Sequence, residues 1–166
     1  MKVRIAGLVN DSITDGSGLR LSVFSQGCPH FCRGCHNPAT HDPGGGHETD
    51  VTAILAVLDA NPLLDGITLT GGEPFFQVSP MAKLAEETQR RGFSVWTYTG
   101  YRWEELMEKI EKGNAGFAKL LKHTDVLVDG RYESKLRSLS LPFRGSSNQR
   151  LIDVARSLAT GSVIEL

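Results

Sequence analysis

The sequence predicts an α/β fold built on a parallel sheet. Two observations carry this. Short β-branched or aromatic runs alternate with stretches of helical periodicity, the pattern of right-handed βαβ units. Four stretches rich in glycine, cysteine or charge each follow a strand, and in such sheets the ligand site lies at the carboxyl ends of the strands. The length of 166 residues suits one domain, residues 1–166, with a buried core.

Taken in order, "LRLSVFS" (19–25) reads as a strand that runs into "QGCPHFCRGCH" (26–36). "PGGGHET" (43–49) reads as a loop. In "VTAILAVLDAN" (51–61), Val51, Ile54, Leu55 and Leu58 share a helical face, with Thr49 or Asp50 as N-cap. "GITLT" (66–70) is a short strand ending in "GGEP". "SPMAKLAEETQRRG" (79–92) is a helix with Ser79 as cap, Pro80 in the first turn and Gly92 as stop. "FSVWTYT" (93–99) is a third strand, with Trp96 expected in the core. Trp103, Leu106, Met107 and Ile110 share the next helical face, and Phe117, Leu120 and Leu121 mark a further turn capped near His123. "DVLVDG" (125–130) and "RLIDV" (150–154) are the fourth and fifth strands.

A net charge of −1 gives no electrostatic reason to expect nucleic acid or an anionic membrane surface. "MKVRIAGLVN" lacks the apolar stretch of a signal peptide, and no later segment could span a bilayer, so a cytoplasmic location is expected. There thiols stay reduced, and an odd number in one loop makes a poor disulfide framework.

All three cysteines, Cys28, Cys32 and Cys35, fall within eight positions with the spacing C-x3-C-x2-C. Thiolates so close in sequence can wrap one soft-metal centre, and Gly27, Pro29 and Gly34 suit the turns required. An iron–sulfur cluster is the first reading; a zinc site completed by His30, His36 or His41, or three unligated thiols, are the competitors. A cubane held by three cysteines leaves one iron without a protein ligand, where a substrate or cofactor can bind. The glycines of "TGGEP" (70–74) either make a turn or let the backbone approach a ligand, with Glu73 facing a cationic group. In "VDGRYE" (128–133), Asp129 and Arg131 form a surface ion pair or contact a ribose or carboxylate. "DGSGLR" (15–20) is either a glycine turn or a part of the substrate mouth, and "RGSSNQR" (144–150) reads as a loop.

Together these motifs resemble the radical S-adenosylmethionine (SAM) superfamily, and within it the activating enzymes of glycyl radical enzymes. "DVLVDGRYE" and "FRGSSNQRLIDV" are similar to one branch, which activates anaerobic ribonucleoside-triphosphate reductase. The resemblance implies a partial (β/α) barrel of about five to six parallel strands, since a full barrel takes about 250 residues. It implies that Cys28, Cys32 and Cys35 hold a 4Fe–4S cluster whose fourth iron is chelated by SAM. Gly71, Gly72 and Glu73 would hold the methionine end, and Gly34 and His36, flanking Cys35, the adenine side. Asp129, Gly130 and Arg131 would meet the ribose or carboxylate. Reductive cleavage of SAM would yield a 5′-deoxyadenosyl radical that takes a hydrogen atom from a glycine of the partner. The partner would be the large subunit of the reductase, entering through the open side of the barrel, with flavodoxin or ferredoxin as electron donor. An activating enzyme for a formate-lyase-type partner, or a non-catalytic iron–sulfur electron carrier, are the alternatives. Proline often stands in this family where Ser17 does here, and serine leaves that turn less constrained.

Overall fold

The strand side chains explain the architecture. In the computed structural model, which describes residues 1–166, a seven-stranded sheet runs β3-β1-β2-β4-β5-β6-β7. The strands are β1 (Lys2–Ser12), β2 (Arg20–Ser25), β3 (His47–Asp50), β4 (Gly66–Gly71), β5 (Ser94–Tyr98), β6 (Val126–Asp129) and β7 (Arg150–Asp153). The helices are α1 (Val51–Ala60), α2 (Val78–Arg90), α3 (Trp103–Glu111), α4 (Ala115–Lys122) and α5 (Val154–Thr160). β2, β4, β5 and β6 pair in parallel, and their period of two sends alternate residues to opposite faces. One row, Val23–Leu69–Thr97–Leu127–Ile152, crosses five strands in register and is fully buried in the core face. Leu58 of α1, Met81 and Leu84 of α2, Leu106 of α3 and Leu120 of α4 bury against that face.

The opposite face is polar at its centre. Arg20 is buried there and donates to Thr68 Oγ1, Ser94 Oγ and the carbonyls of Ser17, Ile67 and Ser94. Burial pulls its guanidinium down to about 10. Two glycines of "DGSGLR" serve this packing: Gly16 (φ +129°) lies where a Cβ would meet Arg20 and Trp96, and Gly18 (φ +79°) lies against Asp65. Ser17 is exposed and contributes only its backbone carbonyl to Arg20, a contact that does not depend on the side chain at this position.

The parallel sheet of the expectation is the central part of a larger, mixed one. There are seven strands, and the β1–β2, β1–β3 and β6–β7 pairs are antiparallel. β7 returns antiparallel because no crossover helix separates it from β6; residues 130–149 form a strap with a single 3-10 turn, Ser134–Leu136. The stretch 43–49, read as a loop, enters the edge strand β3, whose polar residues pair with Lys2–Ile5. Ser79 does not cap α2: the helix starts at Val78, directly after the 3-10 turn Pro74–Gln77, and Gly92 (φ +84°) stops it. Asp50 caps α1 by accepting from Thr52 N–H at 2.9 Å.

Candidate cluster and cofactor site

Because β2, β4, β5 and β6 run parallel, the loops after them meet at one edge of the sheet. They enclose a cleft of roughly 330 Å³ lined by Cys28, Cys32 and Cys35, by Gly71 and Gly72, and by Thr99, Gly100 and Gly130. The cysteine loop leaves β2 with Gly27 N–H on the Thr40 carbonyl (2.7 Å) and Cys28 N–H on the His41 carbonyl (3.2 Å). Gly27 (φ +98°), Phe31 (φ +49°) and Gly34 (φ +75°) bend it back, and Cys35 N–H closes a turn on the Cys32 carbonyl at 3.1 Å. All three thiols are free and half-buried.

This donor set fits a cluster better than a single ion. No three cysteine, histidine or carboxylate side chains converge on one point that could hold a metal ion, so the zinc alternative finds no assembled ligand set. The thiols instead stand around a cavity, as a multi-iron centre requires. Burial pushes the Cys28 and Cys32 thiols up, while N–H groups of His30 and Phe31 at Cys28, and of Tyr132 at Cys32, oppose it. Asn37 N–H lies 3.4 Å from Cys35 Sγ. Such N–H groups stabilise charge on cluster sulfur. Two buried nitrogens of cleft residues, His41 Nε2 and Arg144 Nε, have no protein partner and remain free for a ligand.

Gly71 and Gly72 line the cleft wall. A Cβ on Gly72 would press on the carbonyls of Gly27 and Ser25, and Gly71 (φ +89°) lies against the Ser25–Phe24 backbone. Both neighbours are main chain, which cannot swing aside. Gly72→Ala is expected to cost about 1–3 kcal/mol by overpacking, read as a melting temperature several degrees lower.

Glu73 is placed differently from the expectation of an amine partner. Its side chain is 0% exposed and does not line the cleft. Oε2 accepts from His30 Nε2 (2.7 Å) and Gly100 N–H (2.8 Å), Oε1 from Phe75 N–H (3.0 Å), and the Thr99 hydroxyl lies 2.9 and 3.0 Å from the two oxygens. The carboxylate is saturated by protein donors and ties together the loops that border the cleft.

The "DGRYE" stretch is split in the same way. Gly130 lines the cleft, but Asp129 and Arg131 do not. Asp129 is buried and accepts from Arg150 Nη2 at 2.5 Å, Arg150 Nε at 3.0 Å and Trp103 N–H at 2.8 Å, fixing the start of α3. Arg131 pairs with Glu105 at 2.9 Å. These ion pairs, with partners distant in sequence, replace both the Asp129–Arg131 pair and the ribose contact expected. The Arg131 guanidinium holds the Glu105 carboxyl down to about 2. With the folded value depressed, the pair's stabilisation is present above the ordinary carboxylate range and is lost as pH falls through about 2. Partial exposure limits the effect to about 1 kcal/mol or less. The urea midpoint should therefore fall more between pH 5 and pH 2.5 in the native protein than in Arg131→Met.

Gly34 packs beside Tyr132, whose ring meets His36 at a centroid distance of 4.8 Å; both rings line the cleft. Sequence reasoning named neither Tyr132 nor Arg144 as a site residue, nor His30 as more than a zinc competitor. The signal lay in "RGSSNQR": Gln149 accepts from Gly145 and Ser146 N–H and donates to the Gly130 carbonyl, folding the strap so that Phe143–Gly145 close one side of the cleft.

Three thiols in one loop and a glycine-lined cleft at the carboxyl edge of parallel strands fit a protein that holds a 4Fe–4S cluster. Residues 14–152 match the family described as "4Fe-4S single cluster domain". The anaerobic ribonucleoside-triphosphate reductase-activating protein of Enterobacteria phage T4 is 32% identical over 82% of this chain and 85% of its own length. That of Escherichia coli K12 is 34% identical over 82% and 90%, and that of Vibrio cholerae 31% over 82% and 89%. The chain belongs to the family of anaerobic ribonucleoside-triphosphate reductase-activating proteins. The fold is also that of QueE from Escherichia coli, with a TM-score of 0.50 at 20% identity, covering 60% of this chain and 53% of that one. No helix is long and apolar enough to cross a membrane.

Proposed function

We propose that this protein, as a single radical SAM domain over residues 1–166, activates the large subunit of an anaerobic ribonucleoside-triphosphate reductase. The observation that carries this is a cleft lined by Cys28, Cys32 and Cys35 on one side and by Gly71 and Gly72, at the end of β4, on another. A 4Fe–4S cluster and SAM held there would supply one-electron reductive chemistry that ends in removal of a hydrogen atom from a backbone glycine of the reductase. Cys28, Cys32 and Cys35 hold the cluster, and Gly71 and Gly72 present main-chain groups to the methionine end. Gly34, His36 and Tyr132 form the wall on the adenine side, while Gly130 brings main chain close to the ribose. The strap keeps water and stray hydrogen donors from that side. A low-potential donor such as flavodoxin or ferredoxin supplies the electron. The direct test is anaerobic loading with iron and sulfide, followed by dithionite and SAM. Release of 5′-deoxyadenosine and methionine in equal amounts is expected; a cluster-loaded protein that leaves SAM intact contradicts the proposal.

A further inference from the structure

Between Pro29 and Gly34 the main chain makes no backbone hydrogen bond to the rest of the fold; the Cys35–Cys32 turn lies within the loop itself. The apex bearing Cys32 therefore depends on side chains for its position. His30, at that apex, turns inward: its side chain is 5% exposed and Nε2 lies 2.7 Å from Glu73 Oε2. The ring meets Tyr101 edge-on at 4.6 Å and sits so tightly over Gly100 that a Cβ there would overlap it. These contacts all come from the loops after β4 and β5, whose Gly71, Gly72, Thr99 and Gly100 line the cleft. Glu73 binds Thr99 and Gly100 as well, so one buried carboxylate gathers three separate stretches of chain.

We infer that His30 is a positioning residue: through Glu73 it fixes the cysteine loop against the ends of β4 and β5, aligning the cluster with the SAM-binding backbone. The inference rests on the radical SAM reading of the site. Three thiolates can gather a cluster on a mobile loop, but chelation by SAM needs the open iron held at a set distance from Gly72. A rigid imidazole with a donor aimed at a saturated carboxylate provides that strut. A glutamine amide nitrogen reaches the Nε2 position, whereas an asparagine amide reaches no further than Nδ1.

The test uses the full chain, loaded anaerobically with iron and sulfide, in native, H30A, H30Q and H30N forms. SAM affinity is measured by equilibrium dialysis, and the reduced cluster by electron paramagnetic resonance with and without SAM. H30Q is expected to bind SAM within about threefold of native and to show the native spectral change. H30N should bind at least about tenfold more weakly and lose that change at equal iron content, the scale of losing an outer partner of a metal site. H30A should behave as H30N does. Native affinity in H30N, or weak binding in H30Q equal to that of H30N, overturns the assignment. A native protein that binds no SAM overturns the radical SAM reading itself, so the two failures are distinguishable.

Discussion

Alanine at any one of Cys28, Cys32 or Cys35 removes the cluster, its visible absorbance and SAM cleavage together. Two thiolates cannot retain a cubane that already has only three protein ligands. The apoprotein, in contrast, should melt close to the native temperature. Each thiol is half-buried, and none carries a core contact or a disulfide. Truncation of such a side chain changes stability by about 0.5 kcal/mol or less. Iron content per chain and the melting curve of the metal-free protein, measured on the same preparations, separate loss of a ligand from loss of fold. Native iron content in any single variant would show that its sulfur is not a ligand.

Alanine at Glu73 should do the reverse and damage the fold first. It strands His30 Nε2, the N–H groups of Phe75 and Gly100, and the Thr99 hydroxyl around a buried void. Each orphaned donor costs about 1–3 kcal/mol and they are not additive. A total of about 3–5 kcal/mol is the scale of breaking a buried polar pair from one side. At this length that corresponds to a fall of roughly 6–20 °C in melting temperature. Glu73→Gln keeps the shape and one acceptor, so it should fall between. If the Glu73→Ala apoprotein melts at the native temperature while SAM affinity alone drops, the carboxylate serves the ligand's amine, as the sequence suggested, and not the loops.

The contrast between these two variants shows what could be read before the fold was known. The cysteine loop was legible because thiols are rare and their spacing is chemical. The four parallel strands were legible because Leu21, Val23, Ile67, Leu69, Val95 and Leu127 bury one face, leaving a period that composition cannot hide. β3 was not, because "HETD" at the sheet edge buries little and carries no apolar pattern. β1 buries Val3 and Ile5 near its start, but most of its later residues are exposed. The roles of Glu73 and Asp129 were hidden for another reason. A carboxylate at a strand end looks the same whether it faces a ligand or a buried donor, and apart from Phe75 N–H the donors here lie 21 to 43 residues away. Arg20 is similar: its five acceptors come from three separate stretches of chain, and nothing in "GLR" announces a buried guanidinium.

The central claim is that this cleft generates a radical for a protein substrate. The most direct measurement is electron paramagnetic resonance on the large subunit of an anaerobic ribonucleoside-triphosphate reductase incubated with the cluster-loaded protein, SAM and a low-potential reductant. A glycyl radical signal that requires all four components is the predicted result. A signal that arises on a formate-lyase-type partner and not on the reductase, or no signal while SAM is being cleaved, would contradict it.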